Sequence, residues 1–143
     1  MDKCLGEVVV PNALKAAGCR VEIMTDHFEQ DCADTEWLPE VGRRGWIILS
    51  KDKNLRHNHI EIVALLKSGA PAFLLTSGDL TGDAMAEAFV TALPHMQRMS
   101  QKFSPPFIAQ VSRSGSVKLL YTFDGMIRKV VAGPRPKRPE KPK

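Results

Sequence analysis

Hydrophobic and polar positions change period several times along this chain, and the changes divide it into elements. Leu5, Val8, Val9, Val10, Ala13, Leu14 and Ala17 recur at roughly helical spacing, which predicts a helix stopped by Gly18. Pro11 inside that run argues for a late start or a kink, since proline is tolerated best in a first turn. Val21-Glu22-Ile23-Met24 predicts a short strand, and the polar run from Thr25 to Ala33 a loop. Asp34 is expected as the N-cap of a helix through Thr35-Glu36-Trp37-Leu38, with Pro39 near its start and Gly42 and Gly45 closing it. Trp46-Ile47-Ile48-Leu49-Ser50 is apolar on both faces, the pattern of a buried parallel strand, and it ends in a polar turn, Lys51-Asp52.

A third helix is predicted from about His59 to Ser68, with Ile60, Val63, Ala64 and Leu66 apolar and Gly69 as its stop. Ala72-Phe73-Leu74-Leu75 is another buried strand, and Thr76-Ser77-Gly78-Asp79-Leu80 turns off its end. Thr81 caps a long helix marked by Met85, Ala88, Phe89, Ala92, Leu93 and Met96, which Pro94 is expected to bend. Phe107–Ser112 and Ser116–Tyr121 alternate around Arg113-Ser114-Gly115 and predict a β-hairpin. Residues 123–132 fit no single period. Alternation of helix and buried strand through residue 100 predicts an α/β fold: a mostly parallel sheet, helices on both faces, and a C-terminal hairpin at an antiparallel edge.

Composition changes this picture little. A chain of 143 residues, 43% apolar and 25% charged, suits one globular domain with a real core. No apolar run approaches the roughly 20 residues that span a bilayer, and Met1-Asp2-Lys3-Cys4 is not a secretory leader, so a cytoplasmic protein is expected. Cys4, Cys19 and Cys32 are odd in number and lack C-x-x-C spacing, which reads as reduced thiols rather than a disulfide framework or a zinc site. The net charge of +4 resides in the tail, where Arg135, Lys137, Arg138, Lys141 and Lys143 face Glu140 alone. Residues 1–133 balance at 15 bases and 15 acids, so net charge alone argues nothing about nucleic acid. The Pro- and Lys-rich tail is expected to be disordered.

Candidate chemistry gathers beyond the strand ends, where open α/β sheets bind ligands. Asp52 follows the strand ending at Ser50, Asp34 opens the helix feeding that strand, and Asp2 lies near the start. Carboxylates from separate loops are the hard oxygen ligands that Mg²⁺ prefers. Each acid also has a plainer reading: Asp34 as a cap, Asp52 as a turn residue, Asp2 as part of a mobile terminus. Asp79 either joins the site or makes a turn before Thr81, and Glu36 either supports the ligands or complements the helix dipole. Lys51, Lys53 and Arg56 cluster beside Asp52, as a solvated turn or as contacts to a phosphodiester backbone. His57 and His59, two apart, do not face one another on a helix. Trp37 and Trp46 read as core.

The order Asp2-Lys3-Cys4-Leu5-Gly6, Asp34-Thr35-Glu36-Trp37-Leu38 and Trp46 to Lys53, with the turn from Thr76 to Gly82, resembles the PIN-like nucleases, and among them the VapC-type toxins of toxin–antitoxin pairs. The resemblance covers roughly residues 1–121. It implies a three-layer α/β/α sandwich, Mg²⁺ or Mn²⁺ held by Asp2, Asp34 and Asp52, an endoribonuclease activity, and an antitoxin protein as partner. It leaves a homodimer open and requires no membrane. On this view residues 1–121 form the nuclease domain, 122–133 an extension and 134–143 a basic tail. Two departures stand out. The strand expected ahead of the first acid is absent from this sequence, and an in-frame apolar segment upstream of Met1 would supply it. The span from Asp2 to Asp34 also leaves no room for an extra helical pair bearing a glutamate; Asp26, Glu29 or Asp31 would have to substitute.

The leading expectation is therefore metal-assisted hydrolysis of RNA with no nucleophilic side chain. Lys51, Lys53 and Arg56 would position the backbone, and the basic tail would add affinity without specificity. The missing strand and sparse acids motivate a rival, a catalytically silent PIN-like module that binds RNA or protein. A phosphoryl-transfer enzyme with Asp52 as nucleophile is a third reading, without a supporting partner motif.

Overall fold

A computed structural model describes residues 1, 5, 8–23, 34–51, 58–77 and 80–131, with the backbone alone at 34–36 and 59. The first helix, α1, runs Val9–Ala16 and not from Leu5. Pro11 thereby falls in the first turn, where its missing N–H forfeits no helical bond. Leu5, outside the helix, is buried. Gly18 at φ 94° takes the left-handed conformation that ends α1. Val21–Ile23 form no strand, contrary to expectation: Glu22 instead accepts a 2.8 Å bond on its carbonyl from the Met1 ammonium. Two β-branched residues flanking Glu22 do not make a strand without a ladder to join. Met24 lies outside the described residues.

Helix α2 spans Asp34–Arg43 and buries Trp37, Leu38 and Val41. Asp34 is its first helical residue rather than the residue before it. A turn through Gly45, φ 71°, leads into β1, Ile48–Ser50, which is shorter than the predicted strand because Trp46 and Ile47 precede the ladder. Helix α3, His59–Ser68, begins at Asn58, whose side chain accepts from the amides of Ile60 at 2.9 Å and Glu61 at 3.4 Å. Gly69, φ 70°, ends it ahead of β2, Pro71–Leu75. Helix α4, Gly82–Lys102, is capped as predicted by Thr81, which accepts from Ala84 N–H at 3.1 Å. The hairpin is β3, Phe107–Val111, and β4, Val117–Tyr121. Residues Phe123–Val131 form α5, capped by Thr122 Oγ1 accepting from Gly125 N–H at 3.2 Å.

Among the described residues the sheet has four strands in the order β1-β2-β3-β4. The first two pairings are parallel and the last antiparallel. Ser50, Leu74, Gln110 and Lys118 lie in one register row across it. Alternation puts two cores on its two faces. One joins Phe73, Phe107, Ala109 and Val111 to Leu14 of α1 and Phe89, Ala92 and Met96 of α4. The other joins Ile48, Leu74 and Ile108 to Trp37 and Leu38 of α2, Ile62 and Leu65 of α3 and Met126 of α5. The result is the expected α/β/α sandwich. Trp37 is core, as predicted, whereas Trp46 is half-buried under the Arg44 guanidinium, 4.9 Å from its ring. No helix among the described residues is long and apolar enough to cross a membrane.

Candidate functional site

Four helix starts converge on the carboxyl edge of the parallel strands. Helices α3 and α4 connect successive parallel strands, so each runs back across the sheet and begins on its carboxyl side. The start of α1 joins them, because Val9 lies 3.4 Å from where a Cβ on Gly82 would stand. Helix α2 feeds the amino end of β1 through a short turn, and its C-terminal Gly42 packs on Ser68 at the C-terminal end of α3. Its first turn, with Asp34, therefore points back to the same carboxyl edge.

At that edge Ser50 closes β1 fully buried, and Lys51 emerges into solvent one residue later. The ladder continues past β2, where Thr76 N–H donates to Val111 carbonyl at 3.2 Å. Each helix start carries partial positive charge on unbonded N–H groups. Four of them at one edge lower the cost of gathering carboxylates or phosphate oxygens there.

The proposed ligands stand in relation to this edge as follows. Asp2, Asp52, Lys53, Arg56 and Asp79 lie outside the described residues. For Asp34 and Glu36 the backbone is described, in the first turn of α2. Lys51 is described and exposed. In sequence, Asp52 follows Lys51 directly, and Asp2 falls between Met1 and Leu5. Among the described residues no three His, Cys, Asp or Glu side chains form a group able to hold a metal ion.

A cleft of about 660 Å³ opens elsewhere, along the outer side of β1 toward its amino end. Leu14, Val21, Trp46, Ile48, Met96 and Ser100 are among the residues lining it. β1 has one strand neighbour among the described residues, so this cleft borders an edge strand. Ser100 Oγ is buried there with no hydrogen-bond partner among the described residues. Among the described residues this cleft includes neither Ser50 nor Thr76 of the carboxyl edge, the side on which open α/β sheets bind ligands.

Residues 1–77 match the family described as a PIN like domain. Over 124 residues, 84% of this chain and 89% of the relative, the sequence is 32% identical to a protein of Mycobacterium tuberculosis (strain ATCC 25618 / H37Rv) named "Putative ribonuclease VapC45". No solved structure matches this chain.

Proposed function

The chain belongs to the PIN-like domain family, and from that premise we propose that it is a divalent-metal-dependent endoribonuclease, the toxin of a toxin–antitoxin pair. The observation that carries the reading is the convergence of the α2 start and the β1 end on one edge ringed by helix N-termini. The ribonuclease name of the relative, matched along most of both chains, supports it.

Asp2, Asp34 and Asp52 would hold the ion. Three carboxylates are a donor set suited to Mg²⁺ or Mn²⁺, and the helix starts ease their mutual repulsion. Bound there, such an ion supplies a water of lowered pKa and neutralises charge developing on the phosphate and the leaving oxygen. The chain's own groups do the rest. Lys51, with Lys53 and Arg56, positions the phosphodiester backbone, and Glu36 and Asp79 orient the ligating carboxylates. The catalytic unit would span residues 1–121. The partners would be RNA and an antitoxin protein, in the cytoplasm, with the toxin itself free to form a homodimer.

The test is cleavage of total RNA by purified protein with Mg²⁺ or Mn²⁺, beside Asp52→Asn and an EDTA control. Discrete cuts that vanish in both controls, with circular dichroism unchanged in the variant, are the expected result. Loss of an oxyanion-stabilising or metal-holding group costs roughly a hundredfold or more in rate. Full activity in Asp52→Asn would remove that residue from the site, and full activity in EDTA would end the metal reading.

A further inference from the structure

No aspartate or glutamate occurs between Glu87 and Asp124, yet this stretch carries Arg98, Lys102, Arg113 and Lys118 as well as His95. The fold places most of these cations together. Thr91, His95, Arg98 and Lys102 are spaced by four, three and four residues along α4, so they share one side of the helix, and all are exposed. Arg98 is held in place: its Nε donates to Pro94 carbonyl at 3.4 Å and its Nη2 lies 3.3 Å from His95 Nδ1. Lys102 Nζ lies 5.5 Å over the Phe103 ring. The β3–β4 turn extends the row, because Gly115 (φ +85°) sits so close to Thr91 that a Cβ there would lie 2.6 Å from its side chain. Exposed Arg113 of that turn is thereby brought to the head of the stripe. The turn also adjoins the candidate site, since Val111, which leads into it, is bonded to Thr76.

A basic residue near a helix C-terminus is often no more than a complement to the helix dipole. That accounts for Lys102, in the last turn. It does not account for His95 and Arg98, which lie before that turn, or for Arg113 on a separate element. From Thr91 to Lys102 the stripe runs about 16 Å at roughly 1.5 Å per residue, long enough to meet more than one phosphate of a strand.

We propose that this side of α4, with the β3–β4 turn, is a second RNA-contacting surface that binds backbone phosphates flanking the cleaved bond. It rests on the ribonuclease reading for its ligand. It assigns Arg98, Lys102 and Arg113 to backbone affinity, independent of base sequence.

The experiment measures binding of labelled polyuridylate by the full chain in EDTA, across a salt series, for the wild type, the double variant Arg98→Gln/Lys102→Gln, and Lys67→Gln. Lys67 is exposed in the last turn of α3, on the other layer. The double variant should bind about three- to tenfold more weakly at low salt. Its log K against log salt slope should be shallower by about 1.4, some 0.7 for each lost contact to a single strand. Lys67→Gln should match the wild type, and thermal melting should be unchanged in both. An unaltered slope in the double variant, an equal loss in Lys67→Gln, or no binding by the wild type would each overturn the proposal. So would an unchanged slope with polyuridylate alongside weaker binding of polyglutamate, which would assign the surface to an acidic protein. Cleavage with Mn²⁺ is scored separately. Its absence beside salt-dependent binding lost in the double variant would sink the nuclease reading and leave this surface standing.

Discussion

The two helical layers of this sandwich are built to different tolerances. In the layer of α2, α3 and α5, two backbones meet without a side chain between them. A Cβ on Gly42 would stand 1.8 Å from the Ser68 carbonyl oxygen, a position no side chain can occupy. In the layer of α1 and α4, the corresponding glycine contact is ordinary: a Cβ on Gly82 would meet Val9 at 3.4 Å. The tight layer holds the first turn of α2, and so Asp34. The looser one carries a long helix whose outer side is free to bear charge. A carboxylate proposed to hold a metal would need a rigid mount, because misplacement by about 1 Å can cost a hundredfold in rate. A row of cations meeting a flexible strand does not.

The largest effects come from emptying each core. Trp37→Ala and Phe89→Ala should each cost about 3–5 kcal/mol in urea unfolding, since both side chains are fully buried among apolar neighbours. They part in function. At a temperature where both variants remain folded, Trp37→Ala should lose more RNA cleavage than Phe89→Ala, because Trp37 lies one turn from Asp34 on the same helix. Equal losses would erase the distinction between the layers.

The glycine pair sharpens the same comparison at smaller cost. Gly42→Ala should destabilise by about 1–3 kcal/mol or more, since neither backbone can yield without moving α2 or α3. Gly82→Ala should be neutral or stabilising by roughly 0.4–1 kcal/mol, because the space exists and alanine narrows the unfolded ensemble. Urea titration of the two variants checks both signs. A destabilised Gly82→Ala would mean that the α1–α4 contact is as strict as its counterpart.

These glycines show what sequence reading could and could not reach. Gly42 looked like a helix terminator, because a glycine at the end of a periodic run normally is one. Its reason here is a long-range backbone contact with Ser68 that no local pattern announces. Elements with their own signals were legible: α4 from its long apolar period and Thr81, and the hairpin from alternation around Arg113-Ser114-Gly115. Elements that depend on partners were not. Val21–Ile23 lacks a ladder, and residues 123–131 become a helix because Met126 and Val130 find the second core while Phe123 and Ile127 stay exposed, which blurs the period. At the candidate site, the buried strand ending at Ser50 was readable, whereas Asp2 and Asp52 lie outside the described residues. The cationic side of α4 is not legible in that pattern, because apolar periodicity reports the buried side of a helix and says nothing of what lines the other.

The smallest predicted effects compare the caps of the two helices that start at the site. Asn58→Ala and Thr81→Ala should each cost about 1 kcal/mol. Asn58 serves two amides of a ten-residue helix, whereas Thr81 serves one amide of a helix of 21 residues. Amide hydrogen exchange should therefore show fraying that spreads further along α3 than along α4. Asn58→Asp separates stability from function. An aspartate keeps the cap and adds a charge that favours a helix start, worth about 0.3–1 kcal/mol. The same charge stands at the edge where phosphate oxygens would gather, so the variant should be slightly more stable in urea and yet bind RNA more weakly, with the larger deficit at low salt. A gain in stability with unchanged RNA binding would place the start of α3 outside the RNA path and leave the carboxyl edge to α2, β1 and α4.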